Sequence, residues 1–517
     1  MQPPVWRPAT ALSSEESAIV ARIRRAKLFV LLREQRHILF DGAFQADLAA
    51  TYRTSPLGQP PVPPAQLALA VLLQAYTGVS DDELIEALTM DRRWQLVLDC
   101  LDCATPPFSK GTLVGFRQRL IAADLDRQLL ERTVALAAAR LGTASSRQLR
   151  AALDSSPLWG AGRVEDTLNL LGHAVRKALG VLARQQGREL TAVATEAGAA
   201  LLCGPSLKAA LDQDWDDPAA RDAALGIVLG VLEAVEAWWA AQERPDAATT
   251  VLADAAQIRA QDVVPAANGQ PTLRDGVAPD RRISVEDRAM RHGRKSRSVR
   301  VNGYKRHVLH DLDSGLVRAV GLTPANAPEA SVTDALVIDL DRQAVAITAL
   351  HIDRAYLSSR LVRERTPDLA VYCKAWPVRS VGGRYPKTAF VLDWEGSTLR
   401  CPNAVSMPFS VGGVVHFPAE VCAACPLRAR CTTSPSGRSV SIHPEERLLV
   451  ELRERQQTAR GRAALRERVA VEHTLSHVGR WQGRRARYTG LRKNLFDLRR
   501  VAVVHNLHVL ARLPAAA

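Results

Sequence analysis

Between residues 15 and 142, apolar side chains recur every three to four positions. The runs LALAVLLQAYTG and DDELIEALTMDRRWQLVLD carry the spacing of buried helix faces. Ser80 and Ser109 each precede such a run, where a side-chain oxygen satisfies first-turn amides that have no partner within the helix. Short helices joined by Gly-containing turns predict an all-helical unit over 1–145, compatible equally with a helix-turn-helix arrangement and a plain bundle. At Leu149 the period changes: LRAALDSSP reads as a buried strand that ends at Asp154 and then turns. Helical, Ala/Leu-rich pattern returns from 164 to 263, with Trp238 and Trp239 as core residues, and predicts a helical insertion over 161–280 that interrupts the strand unit 146–160. Residues 264–298 combine Pro, Gly and Asp with a basic run and read as a loop.

Two β-branched runs flank Asp313-Ser314-Gly315 in GYKRHVLHDLDSGLVRAVGLTPAN, which is the signature of a hairpin. A helix over SVTDALVIDLDRQ, a strand AVAITALHID ending in Asp353, a helix over RAYLSSRLVRER and a strand DLAVYCKAW follow, so 281–376 reads as the middle of an α/β core. A Gly/Pro/Cys-rich insertion occupies 377–446, and helices fill 447–517. Without its two insertions, the order strand, hairpin, helix, strand, helix, strand, helix predicts a mixed sheet flanked by helices. There is no internal repeat.

Charge sharpens this picture. The 517 residues carry a formal +14, but 281–306 holds ten Lys/Arg against two Asp/Glu and 447–500 holds fifteen against five. Positive charge confined to two tracts points to a polyanionic partner. The N-terminus lacks an apolar signal segment, and the most apolar window is interrupted by Glu233 and Glu236, which argues against a membrane span. Eight cysteines in a chain of this length suggest a reducing, cytoplasmic setting.

The candidate chemistry rests on carboxylates. Asp154 and Asp353 each follow an apolar strand, and parallel pairing of those strands would set them side by side. Glu472 lies on the flank of a helix whose buried stripe is Val471, Leu475 and Val478. Three converging carboxylates repel unless cations bind, and hard oxygen donors suit Mg²⁺ or Mn²⁺. Each acid alone has a plainer explanation, as a turn former, a cap or a solvated side chain. Two ions between the three acids could clamp the attacking and leaving oxygens of a phosphodiester.

These motifs bear a resemblance. ALDSSPLWG, SVEDRAMRHGRKSRSVRVNGYKRHVLHD, VGLTPANAPEASVTDA, HIDRAYLS and RERVAVEHTLSHVGRWQGRRARYTGLRKN occur in the order found in DDE transposases of bacterial insertion sequences. LALAVLLQAYTGVSDDELIEAL and GTLVGFRQRL resemble the leading helical domain of that group. The resemblance implies an RNase H-like, retroviral-integrase-like core, cleavage at element ends and transfer of the freed 3′-OH into target DNA. It further implies Asp154, Asp353 and Glu472 as catalytic and Mg²⁺-binding residues, a homodimer or higher oligomer on double-stranded DNA, and a nucleoid-associated location. The long gap between the two aspartates leaves Asp254 as an alternative first acid, disfavoured by its helical context. Non-catalytic DNA binding, or nuclease action without strand transfer, are the other functions to test.

Phosphate contacts are expected from Arg294, Lys295, Arg297 and Lys305 in the first tract, and from Arg480, Arg484, Arg485, Arg487 and Lys493 in the second. Tyr304 and Tyr488 are either base-stacking or half-buried. Cys401, Cys422, Cys425 and Cys431 form C-x20-C-x2-C-x5-C, a donor set for structural Zn²⁺, with an iron–sulfur cluster or free thiols as alternatives. Cys100 and Cys103 read as core thiols. His473 and His477, one helical turn apart, read as packing or DNA-contacting groups.

Overall fold

The computed structural model describes residues 2–54, 60–141, 147–204, 206–242, 246–296, 298–378, 380 and 382–512. Its main sheet contains β1 (Gln148–Trp159), β2 (Arg291–Arg294), β3 (Arg300–Asp311), β4 (Val317–Pro324), β5 (Ala346–His351) and β6 (Ala370–Tyr372). The path across the sheet is β4–β3–β1–β5–β6. β1, β3 and β4 are antiparallel neighbours, whereas β5 and β6 continue parallel to β1. An antiparallel meander extended by parallel strands on the side of its first strand is the arrangement of an RNase H-like core. The β3–β4 hairpin turns where Asp313-Ser314-Gly315 was expected to turn it.

The helices that bear on the site are α1 (Pro64–Thr77), α2 (Leu125–Leu141), α3 (Asp246–Asp262), α4 (Thr333–Arg342), α5 (Glu446–Gln457), α6 (Ala459–Glu467), α7 (Val469–Gln482) and α8 (Leu491–Leu510). Alternation along β1 assigns them to layers. Leu149, Ala151 and Leu153 join Leu309 and Ala319 beneath Leu336 and Leu340 of α4 and Leu448, Leu449 and Leu452 of α5. On the opposite face, Ala152, Val308 and Val317 pack with Val471, Leu475 and Val478 of α7 and with Val501 and Val504 of α8.

The second apolar cluster does not stop at α8. It runs on into the N-terminal helices, where α1 is buried from Pro64 to Ala75. Charges are buried at that junction only because they are paired. Arg492 and Arg499 of α8 meet Asp124 and Asp126, while Arg500 holds both Asp497 and the Gln74 side-chain carbonyl. The helical unit and the sheet thus share a core.

The insertion builds its own core from Leu170, Leu171, Val175, Leu225, Val228, Leu232 and Ile258. Trp239 is buried in it and Trp238 packs against it. Two expectations need correction here. The segment 264–298, read as a loop, contributes a short ribbon (Val263–Pro265 with Pro271–Leu273) and strand β2, because its amides pair with Arg300–Gly303 of β3. The helix expected over RAYLSSRLVRER contracts to a 3-10 turn, Arg354–Tyr356, and one α-turn, Arg360–Arg363. Between 377 and 446, a three-stranded sheet and a two-stranded ribbon enclose Phe390, Leu399, Val415, Phe417, Val440 and Ile442. Among the described residues, no helix is long and apolar enough to cross a membrane.

Candidate active site

Strand β1 does not end at Asp154; it continues through Ser155, Ser156 and Pro157 to Trp159. The serines and proline that read as a turn are held in the sheet by β3, with Asp154 opposite Val308 and Pro157 opposite Lys305. Proline is tolerated because the amide of Trp159, two positions on, points away from β3 and donates to Arg484 O, so Pro157 lacks a donor only on that same side. Gly303 allows the crossing at the end of β1: its φ is +151°, and a Cβ there would stand 2.3 Å from the Gly160 amide nitrogen. β5 is shorter. Its pairing with β1 stops at Ala152 opposite His351, leaving Asp154 at a step in the sheet.

Asp154 lies on the α7 face of β1 and is buried. Its Oδ1 accepts from the Ser155 amide at 2.8 Å, and its Oδ2 accepts from Arg468 Nη1 at 2.6 Å. Arg468 Nη2 donates at 2.6 Å to Glu472 Oε1, one helical turn along. One guanidinium therefore joins the first and third predicted acids across 318 positions of sequence. Asp353 lies two residues past His351, the last residue of the strand parallel to β1, and its Oδ1 caps the following turn through the Ala355 amide at 2.6 Å. Tyr356 is buried, and its phenol is held well above the usual range by burial first, then by the negative charges of Glu329, Asp154 and Asp353. Burial also pushes the Cys373 thiol up to about 12, with Asp353 raising it further and Arg354 and Arg468 opposing. Asp154 and Asp353 both raise Tyr356, and Asp353 and Arg468 act in opposite directions on Cys373.

A buried polar layer underlies this site. Tyr356 shares a hydrogen bond with His307 Nδ1 at 2.8 Å, and His307 Nε2 meets Thr323 Oγ1 at 3.0 Å. Burial pushes His307 down to about 3, so the ring is neutral at pH 7. Arg306 donates to Ser156 Oγ at 2.7 Å and to Gln482 Oε1 and Gly483 O at 3.0 Å, tying the end of α7 to β1. Arg468 was not among the residues singled out from the sequence. Its spacing of four from Glu472 was the available signal.

The other candidates are distributed as follows. Asp254 is buried in α3, where its carboxylate is held by Arg282 and Arg288. Lys295 donates to Ser155 O at 2.9 Å and to Ser155 Oγ at 3.1 Å, beside Asp154. Lys305 donates to Ala327 O at 2.9 Å, and Arg294 lies on β2. Arg297 lies outside the described residues. Arg480, Arg484, Arg485, Arg487 and Lys493 are all exposed; Arg485 also donates to Gly160 O and Ala161 O, and Arg487 to Val79 O. Tyr304 is fully buried with its hydroxyl on Asp287, which removes it as a base-stacking group, and Tyr488 packs on Phe496. His477 packs against Trp481 and His505.

Cys401, Cys422, Cys425 and Cys431 line one cavity together with Tyr385, Phe390 and Phe417, and all four are free thiols. Burial raises the Cys431 thiol, and the other three cysteines reinforce that shift. Soft sulfur donors around one cavity suit Zn²⁺, and the acids offer hard oxygens to Mg²⁺. Among the described residues, no three His, Cys, Asp or Glu side chains stand in ligating geometry. At the acids, the Arg468 guanidinium stands between two of the donors. Cys103 donates to Leu88 O and accepts from Gln95, and burial raises the Cys100 thiol, as core thiols would behave.

Three segments match known families. Residues 22–119 match the transposase domain DUF772, and residues 251–373 and 400–511 match two families that are each described as a transposase DDE domain. Asp353 and Glu472 fall inside the matched spans and Asp154 outside them. No curated protein and no solved structure matches the chain.

Proposed function

We propose that the chain, three segments of which match transposase families, is a DDE transposase that acts on DNA with divalent metal ions, cutting at the ends of an insertion sequence and joining the freed 3′-OH to target DNA. Asp154, Asp353 and Glu472 are the residues that would hold the metal, two Mg²⁺ or Mn²⁺ ions. When bound, the ions supply Lewis-acid stabilisation of the attacking and leaving oxygens. The protein's part is positioning. β1 fixes Asp154 opposite Val308 of β3, just past the end of the pairing with β5, the 3-10 turn holds Asp353, and the first turn of α7 presents Glu472 to solvent. Lys295 beside Asp154, together with the exposed Arg480, Arg484 and Lys493, would hold flanking phosphates.

The observation that carries this reading is the single guanidinium touching both Asp154 and Glu472, with Asp353 two residues past the end of the adjacent parallel strand. The test is incubation of the purified full chain with end-containing DNA and Mg²⁺. Joined products are expected. Cut products alone would indicate a nuclease, and a bound complex alone would indicate a DNA-binding protein without catalysis. Asp154→Asn is expected to abolish cleavage and retain DNA binding; full activity in that variant rejects the assignment.

A Cys₄ zinc site would staple the small 377–446 unit, whose core holds few apolar side chains. Removing the metal would then destabilise that unit selectively, and elemental analysis showing no bound metal rejects the site. Two element ends must be handled together, which favours a dimer or higher oligomer on DNA, acting in the cytoplasm at the nucleoid.

A further inference from the structure

We propose that Arg468 occupies the cation position of the metal-free site, and that divalent metal enters by displacing it. The proposal rests on the assignment of Asp154 and Glu472 as metal ligands.

Arg468 sits at the junction of α6 and α7, as the residue that ends one helix and begins the other. Its two terminal nitrogens reach one oxygen each of Asp154 and Glu472, both at 2.6 Å. A planar guanidinium can bridge two carboxylates in this way, whereas the smaller ammonium of lysine concentrates its charge at one point. While the two oxygens accept these hydrogen bonds, the guanidinium fills the space between the acids and its charge repels a metal ion placed there. Three carboxylates and one guanidinium also leave the site with net negative charge, so a divalent cation is attracted to it even while Arg468 is in place.

Compare the arginines that tie α8 to the N-terminal helices. Arg499 and Arg500 are each 3% exposed in their side chains and are surrounded by fixed partners. Arg468 is 26% exposed and makes one hydrogen bond to each acid, and Glu472 is 48% exposed. The bridge thus has solvent on one side into which the guanidinium can move. While it stays, it offsets repulsion between the two acids and keeps them near each other.

Mn²⁺ binding to the full chain without DNA, followed by electron paramagnetic resonance, tests the proposal. Relative to the unsubstituted protein, Arg468→Gln is expected to bind Mn²⁺ about tenfold more tightly, because the metal no longer has to break charge-assisted hydrogen bonds. Arg468→Lys, which keeps the charge and guards against a folding defect in the first variant, is expected to fall between the two. The rise in melting temperature on adding Mn²⁺ should be larger for Arg468→Gln than for the unsubstituted chain. Unchanged or weaker Mn²⁺ affinity in both variants overturns the proposal, since Arg468 would then be holding the acids in place for metal. Asp154→Asn and Glu472→Gln separate the two levels: if these variants bind Mn²⁺ as the unsubstituted chain does, the ligand assignment itself fails, and the displacement falls with it.

Discussion

The two basic tracts look alike along the chain and behave differently in space. In 281–306, most cations are taken up internally: Arg281 by Asp262, Arg282 and Arg288 by Asp254, Arg291 by Asp280, Lys295 by Ser155 and Arg306 by Ser156 and Gln482. In 447–500, Arg453, Arg468, Arg492, Arg499 and Arg500 are likewise paired, but Arg480 in the last turn of α7, Arg484 in the turn after it and Lys493 in the first turn of α8 are exposed. Net charge counted by sequence window overstates the positive surface, because the neutralising acids arrive from other segments. Asp124 and Asp126 lie more than 350 positions from Arg492 and Arg499, which they pair with on α8. The first tract chiefly fastens the insertion and β2 to the core; the second both builds the core and faces outward beside Glu472.

The largest effect should come from breaking a buried pair. The Asp124→Ala/Asp126→Ala double variant strands Arg492 and Arg499 at the α8 junction and is expected to cost about 3–5 kcal/mol, read by urea denaturation. Arg282→Ala in the first tract, which leaves the buried Asp254 with only the half-exposed Arg288, should cost somewhat less, roughly 2–4 kcal/mol. If neither variant loses stability, the distinction between internal and external cations is wrong.

Acid should weaken the core in a way that sharpens the same contrast. His307 and His310, which follow the first tract on β3, and His505 on α8 are pushed down by burial, to about 3, 4 and 4 respectively. An unfolded chain binds those protons near pH 6.5, so the stability contributed by neutral rings is present above that pH and is lost progressively as pH falls toward 4 and then 3. Melting temperature against pH should therefore decline from about 6.5 downward. The Arg480→Ala/Arg484→Ala/Lys493→Ala triple variant should change stability least, within about 0.5 kcal/mol. Its signature is a shallower salt dependence of DNA affinity, by up to about three units of slope if all three contact phosphate.

Elements that rest on local pattern were legible from the sequence. The caps at Ser80 and Ser109, the turn at Asp313-Ser314-Gly315 and the amphipathic helices of the insertion depend on neighbours in the chain. What depended on distant partners was not. Ser155-Ser156-Pro157 has turn composition and became strand because β3 pairs with it. The basic run before β3 became β2 for the same reason. Placing two aspartates after apolar strands anticipated the parallel β1–β5 pair, but Arg468, surrounded by other arginines in the sequence, had no local mark beyond its spacing to Glu472. Nor did Lys295 announce that its amine would rest on Ser155.

Helix α8 lies against α1 and completes the apolar cluster of the N-terminal helices. During synthesis, about 400 residues separate the end of α1 from the start of α8, which at ribosomal speeds amounts to roughly 20–80 s. Throughout that interval the nascent N-terminal helices lack the surface that covers them and are candidates for chaperone capture. A chain cut short before α7 would lack Glu472 and leave its leading helices uncovered, so the shared helical core and the carboxylate site both wait on α7 and α8.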